Sequence, residues 1–135
     1  MRLAVLLPLF VLVCCAGCGG GGDTPAAGVQ NTIVGRWAAS TIQGPGSAAQ
    51  NCPASITLGG TTYACGLIDV RNYRQDGSYD EAQGGQRGTW TSAGNTVTVT
   101  VNGQSTTYTF SIVNNILTEQ LATGSGTITI TFLRQ

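Results

Sequence analysis

Two absences narrow the chemistry open to this chain. There is no His to serve as general base for a Ser or Cys nucleophile, and no Lys to form a Schiff base. All six positive side chains are Arg, and the net charge is zero. Among the carboxylates, Asp69, Asp80, Glu81 and Glu119 could meet inside a fold. A glycosidase needs two of them across a deep cleft, which a domain of this size rarely offers. The chain is therefore read as non-catalytic. Asp76-Gly77-Ser78-Tyr79-Asp80-Glu81 has calcium-like composition but lacks the D-x-D-x-D-G order and distant Glu of a calcium loop. A turn accounts for Asp76-Gly77, so neither a metal nor a cofactor is expected. With 9% charged residues and no basic stripe, nucleic acid is not an expected partner.

Charges that would have to enter an interior are more informative. Leu117, Glu119 and Leu121 share one strand face, and an inward Glu119 would need a partner because its desolvation costs several kcal/mol. The blander reading turns Ile116, Thr118 and Gln120 inward instead and leaves Glu119 in solvent; it is slightly preferred. Leu67, Asp69, Arg71 and Tyr73 raise the same question on another strand. An internal Arg71–Glu119 pair is the sharper alternative, with Tyr108 and Phe110 on a nearby apolar face as further candidate ligand contacts.

The elements that must position these groups are strands. From residue 33 onward hydrophobicity has a period of two, and no segment keeps the three-and-four spacing of a helix. Ile33 to Ile42 opens the domain, and Gly66 to Tyr73 follows later. Thr96 to Val101 alternates Thr and Val, then Asn102-Gly103 gives a strong hairpin signal. Further turns are expected at Gly59-Gly60, Asp76-Gly77, Gly84-Gly85, Gly94-Asn95, Asn114-Asn115 and Gly124-Ser125-Gly126. Seven to ten strands can be read. Consecutive hairpins with one apolar face imply an all-β antiparallel meander closed into a barrel, since closure removes exposed edges.

The N-terminus has a different design. Arg2 precedes the apolar run Leu3 to Val13, interrupted only by Pro8, which is too short for a spanning helix and fits a secretory signal. Cys15-Ala16-Gly17-Cys18 resembles the lipobox of bacterial lipoproteins, with Cys15 where Leu is usual. The resemblance implies a signal peptide over 1–17, acylation of Cys18 and a membrane anchor. Residues 18–32, rich in Gly, then form a lipidated tether before the domain at 33–135. Location in the cell envelope follows, with Gly19 resembling outer-membrane sorting, facing the periplasm or the cell surface. Removal of the signal leaves Cys52 and Cys65 as an even pair in an oxidising compartment. They flank the Gly59-Gly60 hairpin, and a disulfide there stabilises by about 3 kcal/mol on a chain-entropy account.

Val34-Gly35-Arg36-Trp37 resembles the opening strand of lipocalin-like (calycin-type) barrels found in many bacterial lipoproteins. Tyr73-Arg74-Gln75-Asp76-Gly77, a second Gly-x-Trp at Gly88-Thr89-Trp90, and the closing Thr131-Phe132-Leu133-Arg134 continue the likeness across nearly all of 33–135. The resemblance implies that Trp37 plugs one barrel end and Arg134 packs across it, a contact of about 0.5–2 kcal/mol. Short strands and the lack of a C-terminal helix leave open whether the interior is hollow. Two functions are therefore carried. One is binding of a small apolar or amphipathic ligand inside the barrel, the reading preferred. The other is a protein-interaction module, such as an envelope hydrolase inhibitor or accessory subunit, that uses the Gln43–Asn51 loop and the Cys52–Cys65 hairpin.

Overall fold

Turn chemistry sets the strand boundaries. Asn102 and Gly103 take φ of 51° and 76°, Asn114 and Asn115 take 50° and 62°, and Gly59 and Gly60 take 60° and 80°. Two successive positive φ values give the tight turn whose twist suits antiparallel neighbours. The computed structural model describes residues 32–66, 69–81 and 85–135. The expected signal peptide over 1–17, Cys18, nearly all of the expected tether, Leu67 and Gly84 lie outside them. Among the described residues there are eleven strands and no helix. In chain order these begin with β1 (Gly35–Gln43), β2 (Gln50–Asn51), β3 (Ala54–Leu58) and β4 (Thr61–Cys65). Next come β5 (Val70–Tyr73), β6 (Ser78–Glu81), β7 (Arg87–Ala93) and β8 (Thr96–Val101). The last are β9 (Gln104–Val113), β10 (Ile116–Thr123) and β11 (Gly126–Arg134).

Strands β5 to β11 form an antiparallel meander, and β1 pairs with both β5 and β11 to close an eight-stranded barrel. Closure runs from Trp37 opposite Arg134 to Gln43 opposite Thr129, with a register shift between Ala39 and Thr41. That shift keeps Ile42 buried, in phase with Trp37 across the bulge. The short β2 lies beside the second half of β1, where β5 no longer reaches. It is an addition to the expected set, two polar residues held by backbone pairing alone. The first strand begins later than expected because the preceding carbonyls are otherwise engaged. Ile33 O accepts from Trp37 Nε1 at 2.7 Å, and Thr32 O and Val34 O accept from Arg134. Likewise β5 starts at Val70, after Asp69 N donates to Gly66 O and Asp69 O accepts from Ala39 N.

One end of the barrel is filled. Trp37, Tyr73, Tyr79, Val97, Leu117 and Phe132 are buried together there, and Trp90 meets Tyr73 edge-on at 5.5 Å between centroids. The Arg134 guanidinium lies 4.2 Å above the Trp37 ring. A Cβ on Gly35 would sit 2.8 Å from Arg134 Nη1, and the backbone there has φ of 145°, so this position of the Gly-x-Trp needs glycine on two counts. In the second Gly-x-Trp, a Cβ on Gly88 would collide with Thr100 O at 2.0 Å.

The other end is covered rather than filled. The β3–β4 hairpin forms its own two-stranded sheet, tied to the chain ahead of it by the Cys52–Cys65 disulfide, with Cα atoms 5.5 Å apart. Ile56, Leu58 and Tyr63 of the hairpin pack toward Ile42, Ile128 and Leu121 of the wall. The hairpin tip reaches the β10–β11 turn: a Cβ on Gly59 would lie 2.4 Å from Ser125 Oγ. On this side the wall itself parts. The β9–β10 ladder stops at Thr109 opposite Gln120, so Gln104–Tyr108 and Leu121–Thr123 run on without pairing to each other.

Candidate functional site

Between the filled end and the hairpin lies a layer of polar side chains that the strand phases aim inward. On β5, Arg71 and Tyr73 alternate with the outward Val70 and Asn72. On β6, Tyr79 and Glu81 follow in register, with Arg71 opposite Glu81 and Tyr73 opposite Tyr79. From the far wall, β10 supplies Glu119, between Leu117 and Leu121. The preferred expectation that Glu119 faces solvent is overturned. It is 1% exposed, whereas Ile116 and Gln120 point outward. The reason is tertiary, since a cation stands across the barrel to receive it.

Arg71 Nη1 donates to Glu119 Oε2, and Tyr73 Oη donates to Glu119 Oε1 at 2.7 Å. Both carboxylate oxygens are thus engaged. Arg71 Nε faces Glu81 Oε1 at 3.6 Å, outside hydrogen-bond range, and is buried without a hydrogen-bond partner. Glu81 in turn accepts from Tyr79 Oη. The guanidinium stacks between two rings, 5.0 Å from the centre of Tyr108 and 4.8 Å from that of Phe132. These contacts suit Arg, whose flat and weakly hydrated cation tolerates burial better than an ammonium.

The electrostatics follow from the same attraction acting on both partners. Burial raises the Glu119 carboxyl above its ordinary value of 4.5, and Arg71 and the Tyr73 hydroxyl offset this only in part. Burial opposes the charge on Arg71, but Glu119 together with Tyr73, Tyr79 and Tyr108 overcomes it and holds the guanidinium protonated more firmly than usual. Asp69, half-buried nearby, is also raised, first by burial, against the pull of Arg71 and with a push from Glu81. Tyr73 and Tyr108 are pushed up by burial too, so both remain neutral hydrogen-bonding groups.

Above this layer is open space. A cavity of about 120 Å³ lies under the hairpin, with Arg71, Glu119 and Tyr108 on its polar side and Leu121, Ile128 and Ile130 on its apolar side. Tyr63 of the hairpin closes it from above. Across the Tyr108 ring, a more open recess of about 280 Å³ is lined by Glu81, Val99, Val101 and Thr106.

Of the four candidate ligand contacts, the fold brings together Glu119, Arg71 and Tyr108. It does not bring Phe110, which packs against the apolar core and borders a separate outer cleft with Asn95, Thr118 and Gln120. Phe110 stands directly opposite Glu119 in the β9–β10 ladder, but its ring packs with the apolar core and does not line the cavity. Three members were not among the expected ligand contacts: Tyr73, Glu81 and Tyr63. The first two were within reach. A turn centred on Asp76 places Arg71 opposite Glu81, and Tyr73 shares the phase of Arg71. Tyr63 had no comparable signal, because nothing local says which way a lone hairpin folds over a barrel. Trp37 and Arg134 lie at the filled end, away from the cavity. Among the described residues no cluster of three His, Cys, Asp or Glu could hold a metal ion.

Compared with known proteins, the chain matches no family model, no curated protein and no solved structure.

Proposed function

We propose that this protein is a non-catalytic binding protein of the cell envelope, anchored by lipid on Cys18. Its barrel, lipocalin-like on the Gly35-Arg36-Trp37, Tyr73–Gly77 and Arg134 resemblance, holds a small and partly apolar ligand. The observation that carries the reading is the Arg71–Glu119 pair at the floor of a cavity inside the barrel. A fold that needed only a core would be served as well by apolar side chains at those positions, because a buried ion pair contributes little net stability. Polar groups kept beneath an otherwise apolar space fit a site that orients a ligand. The volume limits its size: a dry cavity of about 150 Å³ accepts benzene, so the space here suits a ring or short chain with one polar end.

The test is the mass of residues 23–135, exported to an oxidising periplasm, under native and denaturing conditions. A discrete extra mass that disappears on denaturation, and is lost in Arg71→Ala, is the expected result. A bare mass at every purification step would sink the carrier reading. It would favour the second one, a protein-interaction module of the inhibitor or accessory-subunit kind. That reading draws on a separate observation: both interior spaces fall below the range of about 300 Å³ upward typical of small-molecule sites. Meanwhile the Gln43–Asn51 loop and the stapled hairpin stand at the covered end as a fixed surface.

A further inference from the structure

The outer wall of the barrel is coated with hydroxyls. Thr98 and Thr107 are bonded across β8–β9 at 3.0 Å, Thr100 and Ser105 at 2.8 Å, and Thr41 and Thr131 across β1–β11 at 2.6 Å. One row departs from this pattern. Val113 lies opposite Ile116, Ile116 opposite Leu133, Leu133 opposite Ala38, and Ala38 opposite Val70. These five outward residues form a continuous apolar line across β9, β10, β11, β1 and β5. Val113, Ile116 and Leu133 are 62%, 39% and 47% exposed, and they are the large apolar residues left open to solvent among those described. The next outward row, Ser111, Thr118 and Thr131, is again polar.

The position of this row identifies what covers it. Its exposed members flank the Asn114–Asn115 turn at the filled end, where the described chain also begins. Arg134 Nη2 donates to Thr32 O at 3.0 Å, and Gln135 N donates to Arg36 O at 2.9 Å, so the tether enters beside Leu133. Thirteen residues, 19 to 31, separate Thr32 from Cys18. A chain of that length reaches at most about 45 Å, so the end it enters is the one nearest the lipid. The nearby Asn114, Asn115 and Gln135 side chains are uncharged, and Arg36, exposed on β1, offers a cation to phosphates. A second copy of the chain is a poor occupant. At about 4.8 Å per strand the row is a strip roughly 20 Å long and one residue wide. That is far less than the roughly 800 Å² per partner of a stable interface.

We infer that the Val113–Ile116–Leu133 row lies against the membrane surface, so that the barrel stands on its filled end with the hairpin and cavity turned away from the lipid. The inference rests on the Cys18 anchor and goes beyond it by fixing orientation.

The experiment uses the full, mature protein in vesicles of phosphatidylcholine brominated near the top of the acyl chain. The mass of the mature chain is measured first, and an unacylated Cys18 would remove the anchor and this orientation with it. In the acylated protein, Leu133→Trp and Ser105→Trp are compared as single fluorescent probes over the wild-type background. The Leu133→Trp signal should fall by about half, as for a side chain seated in the headgroup and acyl boundary, while the Ser105→Trp signal stays unchanged. Ile116→Asp added to the Leu133→Trp protein should abolish the quenching. An acylated protein with no quenching, or with equal quenching at both positions, overturns the orientation while leaving the anchor intact. A two-chain mass in detergent that reverts to one chain with Ile116→Asp would assign the row to a second copy instead.

Discussion

At the filled end, Trp37, Tyr73, Tyr79 and Phe132 pack ring against ring, and Arg134 lies across the top of Trp37 with its charge toward backbone carbonyls. Higher in the same barrel, Arg71 and Glu119 sit deep inside, with space above them and a separate hairpin as cover. Both ends use an arginine against aromatic rings. At the first, the ring contact finishes a core. At the second, the guanidinium meets a carboxylate that burial would sooner see neutral, and apolar packing is interrupted. The filled end is organised for stability, whereas the covered end gives up packing to keep polar atoms under an opening.

The contrast is broken most severely from the filled end. Trp37→Ala removes the largest fully buried side chain and should cost about 3–5 kcal/mol. Urea unfolding followed by circular dichroism should show the whole domain lost earlier, in one transition. The covered end should respond locally. Replacing both Cys52 and Cys65 by Ala should cost about 3 kcal/mol. Amide exchange should then speed up in β3 and β4 while β8 to β11 keep their protection, and uniform loss of protection would show that the two ends are not separable. The smallest effect is the most diagnostic. Glu119→Gln keeps shape, accepts from Arg71 through its carbonyl and donates its amide N–H to Tyr73 Oη, but removes the charge. The folded-state pKa of Glu119 lies above its ordinary value, so the stability tied to its proton is present below pH 4.5 and is lost as pH rises through the raised value. The variant should match wild type in acid and become the more stable of the two toward neutral pH. Urea midpoints of both proteins from acid to neutral pH would check this, and a variant that weakens as pH rises would reverse the sign.

The barrel itself was legible because its instructions are local. Asn102-Gly103 and Asn114-Asn115 fix turns through backbone conformations few other residues adopt, and Thr96–Val101 states its own inward face. The pairing of Cys52 with Cys65 needed only counting. The phase of β10 was harder: Leu117 and Leu121 argue for one face and Ile116 for the other, and the strand alone does not decide. Arg71, forty-eight positions earlier and across the barrel, decides it. Strand β2 was invisible for a similar reason, because Gln50 and Asn51 carry no pattern and pair only because β1 has a free edge there. Phe110 stands opposite Glu119 yet does not line the cavity, because alternation reports which face a residue takes, not which neighbours its ring packs against.

The closing ladder sets an order of events in time. Every other ladder of the barrel joins strands near in sequence, apart from β1–β5, but β1 meets β11 by pairing Trp37 with Arg134, at opposite ends of the domain. Contacts of such long span form only after nearly the whole domain is available, and chains that depend on them fold slowly. The meander can assemble hairpin by hairpin from its middle, yet the Trp37 site stays incomplete until Arg134 arrives. Strand β11 thus supplies the cap to the first strand, and the domain passes from an open, curling sheet to a sealed wall when the two meet.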